Sequence, residues 1–207
     1  MIILGIALLA GAGALAYYIS QQEKSKPIPT TQPTQPSAAP GLVGAIHAVA
    51  NSTKSFANFM KPLEDYAVAL GFKRGILTAH IAQETGYGKK VIGHNLWNIK
   101  ASSTWLSDNK PIHEVLTSEY DVKTGQWYKT KAKFRAYPSY LDAVKDFIKL
   151  MQWSNYSYAW SNRNNPQEFF RGLMAVSVGG KAPSGYATDP KYMQNCMGVY
   201  NTIKNYI

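Results

Sequence analysis

Cysteine is nearly absent. The single one, Cys196, cannot close an intrachain disulfide, so the fold must be held by its own core. A chain of 207 residues can bury such a core. Cys196 falls in an apolar helical pattern and reads as a small buried hydrophobe, not a reactive thiol. Acidic residues are also scarce: 12 Asp and Glu stand against 22 Lys and Arg, a net charge of +10. The first forty residues contribute only Lys24, Lys26 and Glu23, so +9 remains on the rest. A surface of this sign favours anionic polymers. Zinc-finger spacing, an RRM-like motif and an arginine-rich run are all missing, and the basic residues are scattered and mostly lysine. Nucleic acid is therefore not the expected partner; the acidic peptides and teichoic or lipid phosphates of a bacterial envelope fit the charge equally well. No internal repeat, nucleotide loop, nucleophile elbow or cysteine-based triad occurs.

What is present begins with an uncharged run, Ile2 to Ile19, rich in Ile, Leu, Ala and Gly. Its length is near the minimum for crossing a bilayer. Gly5, Gly11 and Gly13 would let helices pack closely. A signal peptide cut near Ala14-Leu15-Ala16 is the alternative, but no Lys or Arg precedes the run, so residues 1–19 are expected to be a retained membrane anchor. Lys24 and Lys26 directly after it favour a cytoplasmic C-terminal side, a weak signal from two residues. Residues 20–40 are rich in Pro, Gln, Thr and Ser and cannot bury enough surface to fold, which makes them an extended tether.

Residues 41–207 form the expected domain. Gly41 to Ala50 suits a short helix or docking strand. Ser52 or Thr53 can cap a helix to Met60, and Pro62 suits the first position of another, ending at Gly71. From Glu114 to Arg135 apolar residues alternate with polar ones around the turn Lys123-Thr124-Gly125, a β-hairpin pattern. Helical spacing returns over Ser139 to Trp153. Pro166 starts a helix to about Ala175, Gly179 to Ser184 is a loop, and Asp189 and Pro190 open a last helix to about Tyr206. The expected fold class is α+β: a mainly helical, lysozyme-like domain with a small β-hairpin lobe. A cleft between body and lobe would hold a polymer.

The chemistry centres on Ile76 to Gly88. Ile76, Leu77, Ala79, Ile81 and Ala82 fit a buried helix, and Gly86 and Gly88 end it. That leaves Glu84 in the last turn, where the helix's partial negative charge disfavours an ionised carboxylate and helps it keep the proton a general acid needs. The structural alternative is a surface glutamate at a helix end. His80, four residues earlier, shares its face. The pair can bind zinc, but a site needs three protein ligands and His94 and His113 offer no matching frame, so a buried histidine packed near the acid is favoured. No metal and no cofactor are called for.

Five motifs in order widen the picture: Glu84-Thr85-Gly86-Tyr87-Gly88, Asn95-Leu96-Trp97-Asn98-Ile99-Lys100, Thr117-Ser118-Glu119-Tyr120, Lys133-Phe134-Arg135-Ala136-Tyr137 and Gly185-Tyr186-Ala187-Thr188-Asp189-Pro190. In this order they resemble the glucosaminidase family of peptidoglycan hydrolases, glycoside hydrolase family 73, from about Phe56 to the C-terminus. The resemblance implies that Glu84 is the general acid and Glu119 the second carboxylate, with Asp121 and Glu114 as neighbouring competitors. On an extended strand Glu119 and Asp121 share a face, so pattern does not choose between them. Tyr186 would border the acid, bonding it or the sugar, while Asp189 reads as a helix cap. Asn95, Trp97 and Asn98 would rim the cleft. Asn98 departs from the family's glycine and is a residue that tolerates a positive backbone angle. Tyr87, Trp105, Trp127 and Tyr137 are candidate sugar platforms, each as readily core.

The expected activity is that of a membrane-anchored N-acetylglucosaminidase acting on peptidoglycan glycan strands, with lipid contact through residues 2–19 and no nucleic acid. The enzyme would face the cell wall, and a phage with an internal membrane is one setting for it. Muramidase or lytic transglycosylase activity is the alternative within the same architecture. A catalytically inactive wall-binding or virion structural protein is the alternative outside it.

Overall fold

The computed structural model describes residues 52–121, 126–174, 186, 187, 189 and 191–207, without the side chains of 117–121, 126 and 127. The anchor over 2–19, the tether over 20–40, the segment Gly41 to Ala50, the turn at 123–125 and the loop at 179–184 lie outside the described residues. Among those described, no helix is long and apolar enough to cross a membrane.

Helix α1 (Thr53–Ala69) is capped by Ser52, whose hydroxyl accepts from the Ser55 amide. It runs straight through Pro62, where the sequence suggested a break between two helices. The reason is the stripe Phe56, Met60, Leu63, Tyr66 and Ala67, buried on both sides of the proline. Burial of that stripe outweighs the ~3 kcal/mol that an internal proline costs. Helix α2 (Ile76–Thr85) follows, buried along nearly its whole length, and α3 (Ser103–Ser107) is a short turn capped by Ser102. Strands β1 (Ile112–Asp121) and β2 (Gln126–Arg135) pair antiparallel, from Ile112 opposite Arg135 to Asp121 opposite Gln126. Helix α4 (Tyr140–Met151), capped by Ser139, a 3₁₀ turn (Ser154–Tyr156) and the short α5 (Ser157–Ser161) come next. Helix α6 (Pro166–Gly172) starts on its proline, and α7 (Tyr192–Ile203) closes the chain. The α+β reading therefore holds over the described residues: a helical body with one two-stranded hairpin.

Two features position the site. First, α2 packs most extensively on α7, which brings the beginning of the last helix to the end of α2. Second, the hairpin is fastened at its base to Ile99–Ala101. The Arg135 amide donates to Ile99 O (2.9 Å), the Ala101 amide to Lys133 O (2.8 Å), and the Ala136 amide to Pro111 O (3.0 Å). Asn95 braces this joint: its Oδ1 accepts from the Ile99 amide, and its Nδ2 donates to Ile99 O and Arg135 O, each at 2.9 Å.

Gly172 ends α6 against the backbone of α5. A Cβ there would lie 2.7 Å from the Ala159 nitrogen and 2.8 Å from its Cα. Alanine normally stabilises a helix relative to glycine by ~1 kcal/mol. Here Gly172→Ala should instead destabilise by about 2 kcal/mol, because two helix backbones must separate. Chemical denaturation of the variant beside wild type reads the sign.

Candidate active site

Helix α2 delivers Glu84 in its last turn because the chain cannot continue as helix beyond it. Gly86 takes the left-handed conformation (φ 59°), followed by Tyr87 (φ 59°) and Gly88 (φ 86°). Thr85 locks this reversal: its hydroxyl donates to Ile81 O (2.6 Å) and accepts from the Gly88 amide (2.8 Å). The Glu84 side chain is 11% exposed, so it borders solvent while most of it is covered.

Around the carboxyl the structure assembles a chain of hydrogen bonds. Tyr192, the first residue of α7, donates its hydroxyl to Glu84 Oε1 at 2.5 Å. The same hydroxyl is 2.7 Å from His80 Nε2, and the Trp97 indole donates to His80 Nδ1 at 3.1 Å. His80 Nε2 is 3.6 Å from Glu84 Oε1. His80 is fully buried, and Trp97 lies flat on Phe147, with ring centroids 4.0 Å apart and planes 5° from parallel. Tyr186 packs against this cluster, its ring 5.2 Å from that of His80 and 6.2 Å from that of Tyr192. Burial, and then the neighbouring Glu84, push the Tyr192 and Tyr186 hydroxyls well above the ordinary phenol range. The Cys196 thiol, one turn along α7, is raised in the same way. All three groups are therefore neutral, and Tyr192 reaches Glu84 as an O–H donor. Among the described residues no group of three or more His, Cys, Asp and Glu side chains could hold a metal ion.

The candidate residues differ in where the structure places them. Glu84, Tyr186 and Trp97 meet in one cluster, and Asn98 touches it, with φ 51° and its amide 3.5 Å from Glu84 O. Asn95 and Trp97, expected to rim the cleft, and Tyr137, read as a sugar platform or as core, are interior. Trp97 and Asn95 are each 1% exposed, and Tyr137 is buried with its hydroxyl donated to Asp146 Oδ2 at 2.7 Å. Their polar atoms are taken by the protein, so they shape the site without offering a platform to sugar. Trp105 is half-buried, its indole bonded to Pro111 O and Arg135 placed over its ring at 4.7 Å; Tyr87 is half-buried edge-on to Phe56. In the hairpin register Glu119 stands opposite Tyr128 and Trp127 opposite Tyr120; their side chains lie outside the described set. Asp189 is not the cap of α7, whose N-cap position is Lys191 without a side-chain cap bond; its Oδ1 accepts from the Lys191 amide at 2.8 Å, just before the helix.

Sequence reasoning missed Tyr192. Its signal was there: Tyr192, Cys196, Tyr200 and Ile203 repeat at helical spacing and all are buried. A tyrosine on such a stripe carries a hydroxyl that must find a partner inside.

Residues 48–205 match the family model for glucosaminidase, described as mannosyl-glycoprotein endo-beta-N-acetylglucosaminidase. The chain belongs to the glucosaminidase family. As a member of this family it is a glycoside hydrolase by descent. It is 33% identical over 163 residues to the peptidoglycan hydrolase FlgJ of Vibrio parahaemolyticus, covering 75% of this chain and 49% of that protein. FlgJ of Escherichia coli K12 is 32% identical over 142 residues, covering 65% and 41%. The chain thus spans about half the length of the curated relatives it matches. Among solved structures, a peptidoglycan hydrolase mutant from Sphingomonas sp. A1 superposes with a TM-score of 0.56 at 30% identity, covering 77% of this chain and 97% of that one. The glycoside hydrolase domain of Salmonella typhimurium FlgJ gives 0.56 at 25% identity, covering 74% and 89%. The helix-rich domain with its small two-stranded sheet matches the fold of these structures.

Proposed function

We propose that this glucosaminidase domain cleaves the glycan of peptidoglycan by hydrolysis, between N-acetylglucosamine and N-acetylmuramic acid, with Glu84 as general acid. The observation that supports it is the state of Glu84: a partly covered carboxyl whose Oε1 is held by a neutral tyrosine hydroxyl. Glycoside hydrolysis needs such a group to protonate the leaving oxygen. Glu119, on β1 opposite Tyr128, is the second carboxylate in this reading. It would activate water or stabilise the oxocarbenium-like state.

Digestion of purified sacculi, followed by reduction and analysis of the new reducing ends, tests the bond. N-acetylglucosamine ends are expected. Muramic acid ends would mark a muramidase and anhydro-muramic ends a transglycosylase, and binding without release would mark an inactive wall binder. Glu119→Gln should lower the rate at least ~100-fold if the residue activates water. Retention of most activity would move that role to the substrate's own acetamido group.

We further propose that residues 2–19 anchor the domain to a membrane and that residues 20–40 let it reach the wall. The uncharged run and the Pro, Gln and Thr-rich stretch support this. A phage with an internal membrane is one setting for such a device, mounted to open the host wall at entry. Fractionation decides it: protein in cell membranes and absent from particles would remove that setting.

A further inference from the structure

The pair His80 and Glu84 sits i, i+4 with Nε2 and Oε1 3.6 Å apart, bridged by the Tyr192 hydroxyl. A single proton shared between these two groups has two resting places. On the carboxyl it leaves a neutral acid beside a neutral imidazole. On the ring it leaves an ion pair, and the carboxylate has then lost the proton that glycoside cleavage needs. An isolated pair at this distance gains from the ionic form.

Trp97 changes that balance. Indole N–H is a donor only, so His80 Nδ1 must present its lone pair to it. A second proton on the ring would set N–H against N–H inside the core. The indole cannot turn away, because it is stacked face to face on Phe147. The order of donors is then fixed along the whole chain: Trp97 donates to Nδ1, Nε2–H donates to Tyr192, and Tyr192 donates to Glu84 Oε1. Oε1 is an acceptor, so a proton on this carboxyl would sit on Oε2, which makes no hydrogen bond among the described residues.

We propose that Trp97 is a positioning residue that holds His80 as the neutral Nε2–H tautomer and thereby keeps the shared proton on Glu84. The inference rests on Glu84 being the general acid. Among the described residues, the titratable groups that face this ring are Glu84 on its own helix, Tyr192 with Cys196 from α7, and Tyr186; the other ring neighbours are Trp97 and the phenylalanines of α4 and α6. Burial keeps the two phenols and the thiol neutral, so among the described residues Glu84 is the neighbour able to exchange charge with the imidazole.

The test has one readout on the ring and one on the reaction. In the full chain carrying ¹⁵N-histidine, the signal lost in His80→Gln identifies the residue. Wild type should show a neutral Nε2–H ring throughout the pH range of activity, and a doubly protonated ring in that range would overturn the proposal. Trp97→Phe keeps an aromatic ring against Phe147 and removes the donor together with part of the indole's volume. It should lose about tenfold in kcat at neutral pH relative to mildly acid pH, with KM unchanged. His80→Gln, whose amide can accept from Trp97 and donate to Tyr192 without ever charging, should keep the wild-type pH profile. Added to Trp97→Phe it should restore that profile. A folded Trp97→Phe with an unmoved profile would overturn the proposal. If Trp97→Phe does not fold, the wild-type ring signal still decides. Full activity in Glu84→Gln would remove the catalytic reading instead, and the ring's tautomer would be unaffected.

Discussion

Glu84→Gln should leave the protein folded and remove roughly three orders of magnitude of glycan-cleaving rate, within the 10²–10⁴-fold span that a positioned acid contributes. The amide is nearly isosteric, and its oxygen can still accept the Tyr192 hydroxyl, so the junction between α2 and α7 is kept. What it cannot do is transfer an acidic proton to the leaving oxygen. The residue is at the margin of the core and its bond from Tyr192 is kept, so the melting temperature should move by no more than about 2 °C. Loss of turbidity of purified sacculi and a thermal melt, run on the same preparation, report both halves. A folded variant that keeps its activity would separate Glu84 from catalysis.

The largest loss of stability is expected at the other end of the same helix. Glu64 of α1 is fully buried and caps α2 from outside it. Its Oε1 accepts from the Gly75 amide at 2.8 Å, and its Oε2 from the Thr78 amide at 2.8 Å and the Thr78 hydroxyl at 2.6 Å. Gly75 has no side chain with which to cap the helix, so this carboxyl satisfies donors that nothing else reaches. Glu64→Ala should cost about 3 kcal/mol, or roughly 6–12 °C in Tm, through stranded buried donors. Burial pushes the Glu64 carboxyl above its ordinary 4.5, while the bonds from Thr78 and Gly75 pull it back. The folded state therefore binds this proton more tightly than the unfolded state does. Its contribution to stability is fully present below 4.5 and falls as pH rises from there through the folded value. Denaturant titrations across that interval should show this slope in wild type and not in Glu64→Gln.

The line of the fold was legible where local signals and burial agree. Ser52, Ser139 and Pro166 start helices where their chemistry says they should, and Gly86 ends the helix that carries Glu84. The hairpin was legible from its alternation. Pro62 was not, because a local breaker was overruled by an apolar stripe that only tertiary packing completes. The site was legible at Glu84 and at its neighbour His80, both set by spacing along a single helix. Tyr192 was not, since its partner is 108 positions away and only the packing of α7 on α2 brings them together. Trp97, Asn95 and Tyr137 show the same limit: aromatic and amide residues in a loop motif read equally well as sugar contacts or as struts. Burial, which the sequence does not print, decides for struts.

The central claim is that Glu84 supplies a proton to a leaving group, and an activated leaving group tests it most directly. A chitooligosaccharide carrying a 2,4-dinitrophenyl aglycone needs no protonation to depart. Measured beside intact glycan, Glu84→Gln should be crippled on the natural polymer yet keep most of the wild-type rate of dinitrophenol release. Equal losses on both substrates would contradict the account, because position 84 would then be serving some purpose other than acid catalysis.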